Sequence, residues 1–137
     1  MKDVFASCYV DGASRGNPGP SGVGVVIKDS GENIIKEAKE YIGEGTNNVA
    51  EYTAVIIALG ELKKLKVTSA IINIDSELIV NQLNGNYRTR DEKLLKLFSR
   101  IKDIEQEFSL IKYNYIPREK NKAADKLANI AINLKGK

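Results

Sequence analysis

Tyr9–Ile27 reads YVDGASRGNPGPSGVGVVI. A β-rich run that begins at Val4 ends at Val10, and a single carboxylate follows at Asp11. Glycine and proline then crowd the chain before a second run that carries Val23, Val25, Val26 and Ile27. Two such runs around a Gly/Pro-rich bend predict an antiparallel hairpin with Asp11 closing its first strand. A third run extends it, giving a meander over Val4–Val10, Ser21–Lys28 and Asn33–Ile42.

From Asn48 the period changes. Tyr52–Gly60 holds no charge in nine residues, and Val55, Ile56, Ile57 and Leu59 cover most of a helical circumference. That predicts a helix buried on most sides. Ala70–Ile74 reads as a short strand, Glu77–Leu83 and Asp91–Phe108 as helices, Leu110–Ile116 as a last strand and Lys120–Leu134 as a last helix. The final helix shows an apolar stripe at Ala123, Leu127, Ile130, Ala131 and Leu134. No repeat or linker interrupts the pattern, so the expectation is a single α/β domain over residues 1–137 with a mixed sheet.

Composition narrows the chemistry. The chain has 137 residues, one cysteine (Cys8) and no histidine. An intrachain disulfide and a cysteine-based zinc site are excluded, as is an imidazole base. Acid–base or metal chemistry must rest on carboxylates, lysines or tyrosines. Apolar stretches fall well short of the roughly 20 residues that span a bilayer, and the expected setting is cytoplasmic, without a membrane partner. The net charge of +3 is unevenly spread: residues 1–62 carry 5 basic and 9 acidic side chains, residues 86–102 carry 6 and 2, and residues 112–137 carry 7 and 2. Basic segments beside an acidic one suit a polyanion held near carboxylates, though charge alone favours solubilising lysines on exposed helix faces.

Four acids recur at element ends. Asp11 follows the first strand, Glu51 opens the buried helix, Asp75 follows the fourth strand, and Asp125 lies early in the last helix. At about 100° per residue Asp125 points away from the apolar stripe and is expected to face outward. Each acid also has an ordinary structural reading: a turn for Asp11, a capping box with Asn48 for Glu51, a helix cap for Asp75, a helix-dipole contact for Asp125.

The segments YVDGASRGNPGPSGVGVVI, TNNVAEYTAVIIAL, NIDSELIVNQLNG and IPREKNKAADKLANIAI, in this order and spacing, resemble the four signature segments of type 1 ribonuclease H. The resemblance runs from about residue 4 to residue 132 and implies a ribonuclease H-like fold, a five-stranded mixed sheet flanked by helices. It places the metal-binding catalytic acids on Asp11, Glu51, Asp75 and Asp125. It implies two Mg²⁺ ions, with Mn²⁺ as a substitute, and hydrolysis of the RNA strand of RNA/DNA hybrids to 3′-hydroxyl and 5′-phosphate ends. Such ions activate a water and relieve charge on the attacking and leaving oxygens, so the missing histidine is no obstacle. Substrate contacts are expected from Gly12, Ser14 and Asn17, from Asn47 and Asn48 toward the minor groove, and from Thr46 toward a DNA phosphate. The 2′-hydroxyl would distinguish RNA from DNA.

Two departures from the family pattern bear on substrate handling. Where many bacterial members have a histidine, this chain has PREKNKAAD, which makes Arg118 the candidate to steady phosphate charge. The basic, Trp-containing insertion is also missing, and Tyr87, Arg88, Arg90, Lys93 and Lys96 stand as substitutes in NGNYRTRDEKLLKLFSR. Two alternatives therefore stay open: a nuclease acting also or mainly on double-stranded RNA, and a non-catalytic hybrid-binding module. Nothing suggests an oligomer interface, so a monomer is expected.

Overall fold

A computed structural model describes residues 3–135. Among these, β1 (Phe5–Ser14), β2 (Gly19–Lys28), β3 (Ile34–Gly45), β4 (Ser69–Ile74) and β5 (Leu110–Tyr115) form one sheet in the order β3-β2-β1-β4-β5. β1 pairs antiparallel with β2 and β2 with β3, while β4 runs parallel to both β1 and β5. The helices are α1 (Asn47–Lys64), α2 (Glu77–Leu83), α3 (Glu92–Glu105) and α4 (Lys122–Asn133), with a 3-10 turn at Arg118–Lys120 before the last. None is long and apolar enough to cross a membrane.

The first strand runs farther than its sequence suggests. Asp11, Gly12, Ala13 and Ser14 have the composition of a turn, yet the ladder to β2 continues through Asp11↔Gly24 to Ser14↔Ser21. Pairing with β4, by contrast, stops at Val10↔Ile74. Asp11 is therefore not the end of β1. It is the point where β1 parts from β4 while staying paired with β2, and Asp75 comes just after the end of β4 on the other side of that parting.

The main core lies between one sheet face and α1–α3. Ala6, Cys8, Val10, Val23, Val25, Ile27, Ile72 and Ile74 meet Tyr52, Val55, Leu59, Leu62, Ile79 and Leu83 there. α4 covers the opposite face over β2, β1 and β3. With a helix on each side β2 is buried along nearly its whole length, whereas the edge strand β3 is largely exposed and carries Lys36, Glu37, Lys39 and Glu40. Charges of both signs suit an edge that must not pair with another chain.

Two helices approach the sheet at backbone distance. A Cβ on Gly12 would stand 2.1 Å from the Ala50 carbonyl carbon in α1, and one on Gly24 would stand 2.1 Å from the Ala124 carbonyl oxygen in α4. The second contact corrects the expected face of α4. Its buried residues are Ala124, Ala128, Ala131 and Ile132, while Ala123 and Leu134 are exposed. Small side chains seat the helix on glycine; the larger ones that drew the stripe lie partly outside it.

Candidate active site

Local capping frees the acids for other work. Thr46, not Asn48, caps α1, its Oγ1 accepting from the Val49 N–H at 3.2 Å. Ser76, not Asp75, caps α2, its Oγ accepting from the Ile79 N–H at 3.3 Å. Glu51 and Asp75 are thus released from the capping roles open to them. Asp125 does lie in the first turn of α4.

Asp11, Glu51 and Asp75 each offer a carboxylate oxygen, and these three oxygens lie within 4.8 Å of one another. Asp11 and Glu51 are each only 7% exposed. Burial is the main cause that pushes the Asp11 pKa upward, followed by the charges of Glu51 and Asp75 and by side-chain hydrogen bonds with Asp125 and Glu51. Glu51 is also raised, again chiefly by burial; the Gly12 N–H, donating to its Oε1 at 2.6 Å, and the positive charge of Arg118 pull the other way. Asp11 and Glu51, so close, so dry and beside the Asp75 charge, cannot both ionise comfortably without a cation.

Asp125 stands apart from that trio but not outward as expected. It is half-buried, lines the same open cleft of about 450 Å³, and reaches the Asp11 side chain. A relay holds it: Arg15 donates to the Asn133 and Asn129 side-chain oxygens at 2.7 and 3.2 Å, and Asn129 Nδ2 donates to Asp125 Oδ1 at 3.2 Å. Arg118, Gly12, Ser14, Asn47 and Asn48 line this cleft as well.

The remaining expected contact residues sit around it. Asn17 and Thr46 line a neighbouring depression shared with Asn47, Asn48, Asp91 and Leu94. Asn47 locks the hairpin loop to α1, its N–H donating to Asn17 Oδ1 and its Oδ1 accepting from the Ser14 N–H, both at 2.9 Å. The Gly12 N–H is committed to Glu51 and the Ser14 hydroxyl to the Gly45 carbonyl at 2.6 Å. Arg88 lies farther off, on an exposed surface formed with Thr89, Arg90 and Leu95.

Three residues that hold this region together were not singled out in the sequence. Arg15 is the one charge in an otherwise neutral loop, a usable signal. Asn129 follows Asp125 by one helical turn, which also could have been noticed. Asn121, which binds Asp75 and the Val10 carbonyl, reads as an ordinary helix cap and gave no warning.

A family model described as "Reverse transcriptase-like" matches residues 9–131. Among curated relatives, "Bifunctional protein Rv2228c" of Mycobacterium tuberculosis is 42% identical over 123 residues, covering 89% of this chain. "Ribonuclease HI" of Halobacterium salinarum is 39% identical over 124 residues, covering 90% of this chain. The chain spans only 34% of the first relative's length and 62% of the second's. The solved N-terminal RNase H domain of Rv2228c superposes with a TM-score of 0.92 at 39% identity, over 96% of this chain and 95% of that one. LC11-RNase H1, solved in complex with an RNA/DNA hybrid, gives 0.90 at 44% identity, over 93% and 96%.

Proposed function

Because the chain belongs to the type 1 ribonuclease H family, we propose that it hydrolyses the RNA strand of RNA/DNA hybrids with divalent cations held by Asp11, Glu51, Asp75 and Asp125. The observation that carries this reading is the convergence of three carboxylates within 4.8 Å in an open cleft. The donor set is all oxygen, which suits a hard ion such as Mg²⁺, with Mn²⁺ as a substitute. Bound as a pair, such ions would supply an activated water and relief of charge on the attacking and leaving oxygens of the phosphodiester, consistent with 3′-hydroxyl and 5′-phosphate products.

The chain's own groups orient the acids and the substrate. The Gly12 N–H fixes Glu51, and the Arg15–Asn129 relay fixes Asp125. Arg118 brings positive charge beside Glu51, where it would meet a phosphate that the acids alone repel. Asn47 has its oxygen committed to Ser14, which leaves its NH₂ donors for a sugar or base edge, and Asn48 stands next to it on the cleft wall. Asn17 and Thr46 extend the contact surface along the neighbouring depression.

Labelled hybrid, double-stranded RNA and duplex DNA, each incubated with Mg²⁺, Mn²⁺ or EDTA, test the proposal. The RNA strand of the hybrid should be cut with either metal and not in EDTA, with duplex DNA intact. Faster cleavage of double-stranded RNA would replace the substrate, and hybrid binding without cleavage of any duplex would mark a non-catalytic module.

A further inference from the structure

We infer that Asn121 is a positioning residue that sets the spacing of the carboxylates, an inference that rests on the metal-dependent reading above. Asn121 is 1% exposed and directly precedes α4. An asparagine there ordinarily turns its oxygen onto a helix N–H. Asn121 makes no such bond. Instead its Nδ2 donates to the Val10 carbonyl at 2.8 Å and to Asp75 Oδ2 at 3.0 Å, and its Oδ1 is buried with no partner among the described residues.

A buried amide that forgoes its cap and leaves its own oxygen unsatisfied is oriented by the acceptors it serves. Each of those contacts leads to an acid. Val10 immediately precedes Asp11. Asp75 is bound directly, by the one hydrogen bond its side chain accepts among the described residues. The Asn121 carbonyl accepts from the Asp125 N–H at 3.1 Å, so the same residue starts the turn that carries the fourth acid. Docking α4 on the sheet would need only the bond to Val10; the second amide proton is spent on a carboxylate at the parting of β1 and β4.

Asn121→Asp keeps the shape and sets an acceptor against two acceptors, and Asn121→Ala removes the donor without adding charge or bulk. Thermal melts with increasing Mg²⁺ report metal binding independently of turnover, because a ligand of the folded state raises its stability according to affinity. Both variants should need about tenfold more Mg²⁺ than the wild type for the same rise in melting temperature. On a hybrid, kcat should fall by about tenfold with KM nearly unchanged. Should the aspartate variant fail to fold, the alanine variant carries the same reading. A purely structural bracket would lower the melting temperature in EDTA and leave the Mg²⁺ dependence and kcat of the folded protein at wild-type values, which would overturn the inference. A wild type whose melting ignores Mg²⁺ would overturn the metal reading itself.

Discussion

Asp11 sits among like charges in a dry place, which makes it costly to the fold until a cation arrives. With its pKa raised on folding, the native metal-free protein holds a proton that the unfolded chain gives up. The resulting stability is fully present below the ordinary carboxylate range and is lost progressively as pH rises from there to about 10. Asp11→Asn removes that dependence. In EDTA the variant should melt above the wild type at pH 8, the gap should shrink toward pH 4, and Mg²⁺ should raise the wild type alone, while hydrolysis falls by orders of magnitude. Thermal melts across pH check the first part and a hybrid assay the second. Arg118 acts on the same cluster from the other sign. Its charge reaches Glu51, so Arg118→Ala should lower turnover by about tenfold and affinity less, and steady-state rates equal to the wild type would return it to solvent. At this scale the meeting of Asp11, Glu51 and Asp75 in one cluster was legible from their motifs. The side of α4 that Asp125 occupies was not, because burial there follows small residues over Gly24 while the sequence stripe weighs large ones.

Elements place these groups through their ends and their closeness. β1 stays extended through four residues of turn-like composition because β2 supplies a ladder for them, a tertiary effect that local sequence cannot reveal. The boundaries of α2 were readable outright, and α3 starts one residue late because Asp91 caps it, accepting from the Leu94 N–H at 3.1 Å. Gly12 joins β1 to α1 at a distance no side chain permits. Gly12→Ala should cost about 3 kcal/mol or more by overpacking, and should also break the bond to Glu51 that depends on that closeness. Denaturant unfolding measures the first loss. Activity that falls further than the unfolded fraction explains would show the second, and a variant as stable as the wild type would mean the helix can retreat without consequence.

At the scale of the whole molecule, a run of basic side chains stands at the start of α3. The acid cleft adjoins the depression under Asn17 and Thr46, and Arg88, Arg90, Lys93 and Lys96 are exposed around the start of α3. If a polyanion lies along this path, replacing Arg88, Arg90 and Lys93 together by alanine should weaken hybrid binding with turnover at saturation little changed. The slope of log affinity against log salt should become shallower by about one for each phosphate that is no longer neutralised. Binding isotherms over a range of salt decide it, since an unchanged slope assigns the three to a solvated face. The seat of α4 on β2 reaches beyond energetics. Gly24 meets Asp11 only as its backbone partner in the ladder and offers no side chain to the site, and a library in which every position is randomised and scored only for cleavage would nonetheless group it with the acids, because any larger residue there must push away the helix that brings Asp125 and the asparagine before it. Sequence drift at such a position is constrained by chemistry performed elsewhere, and a designer grafting this site onto another sheet would have to carry the glycine along with the carboxylates.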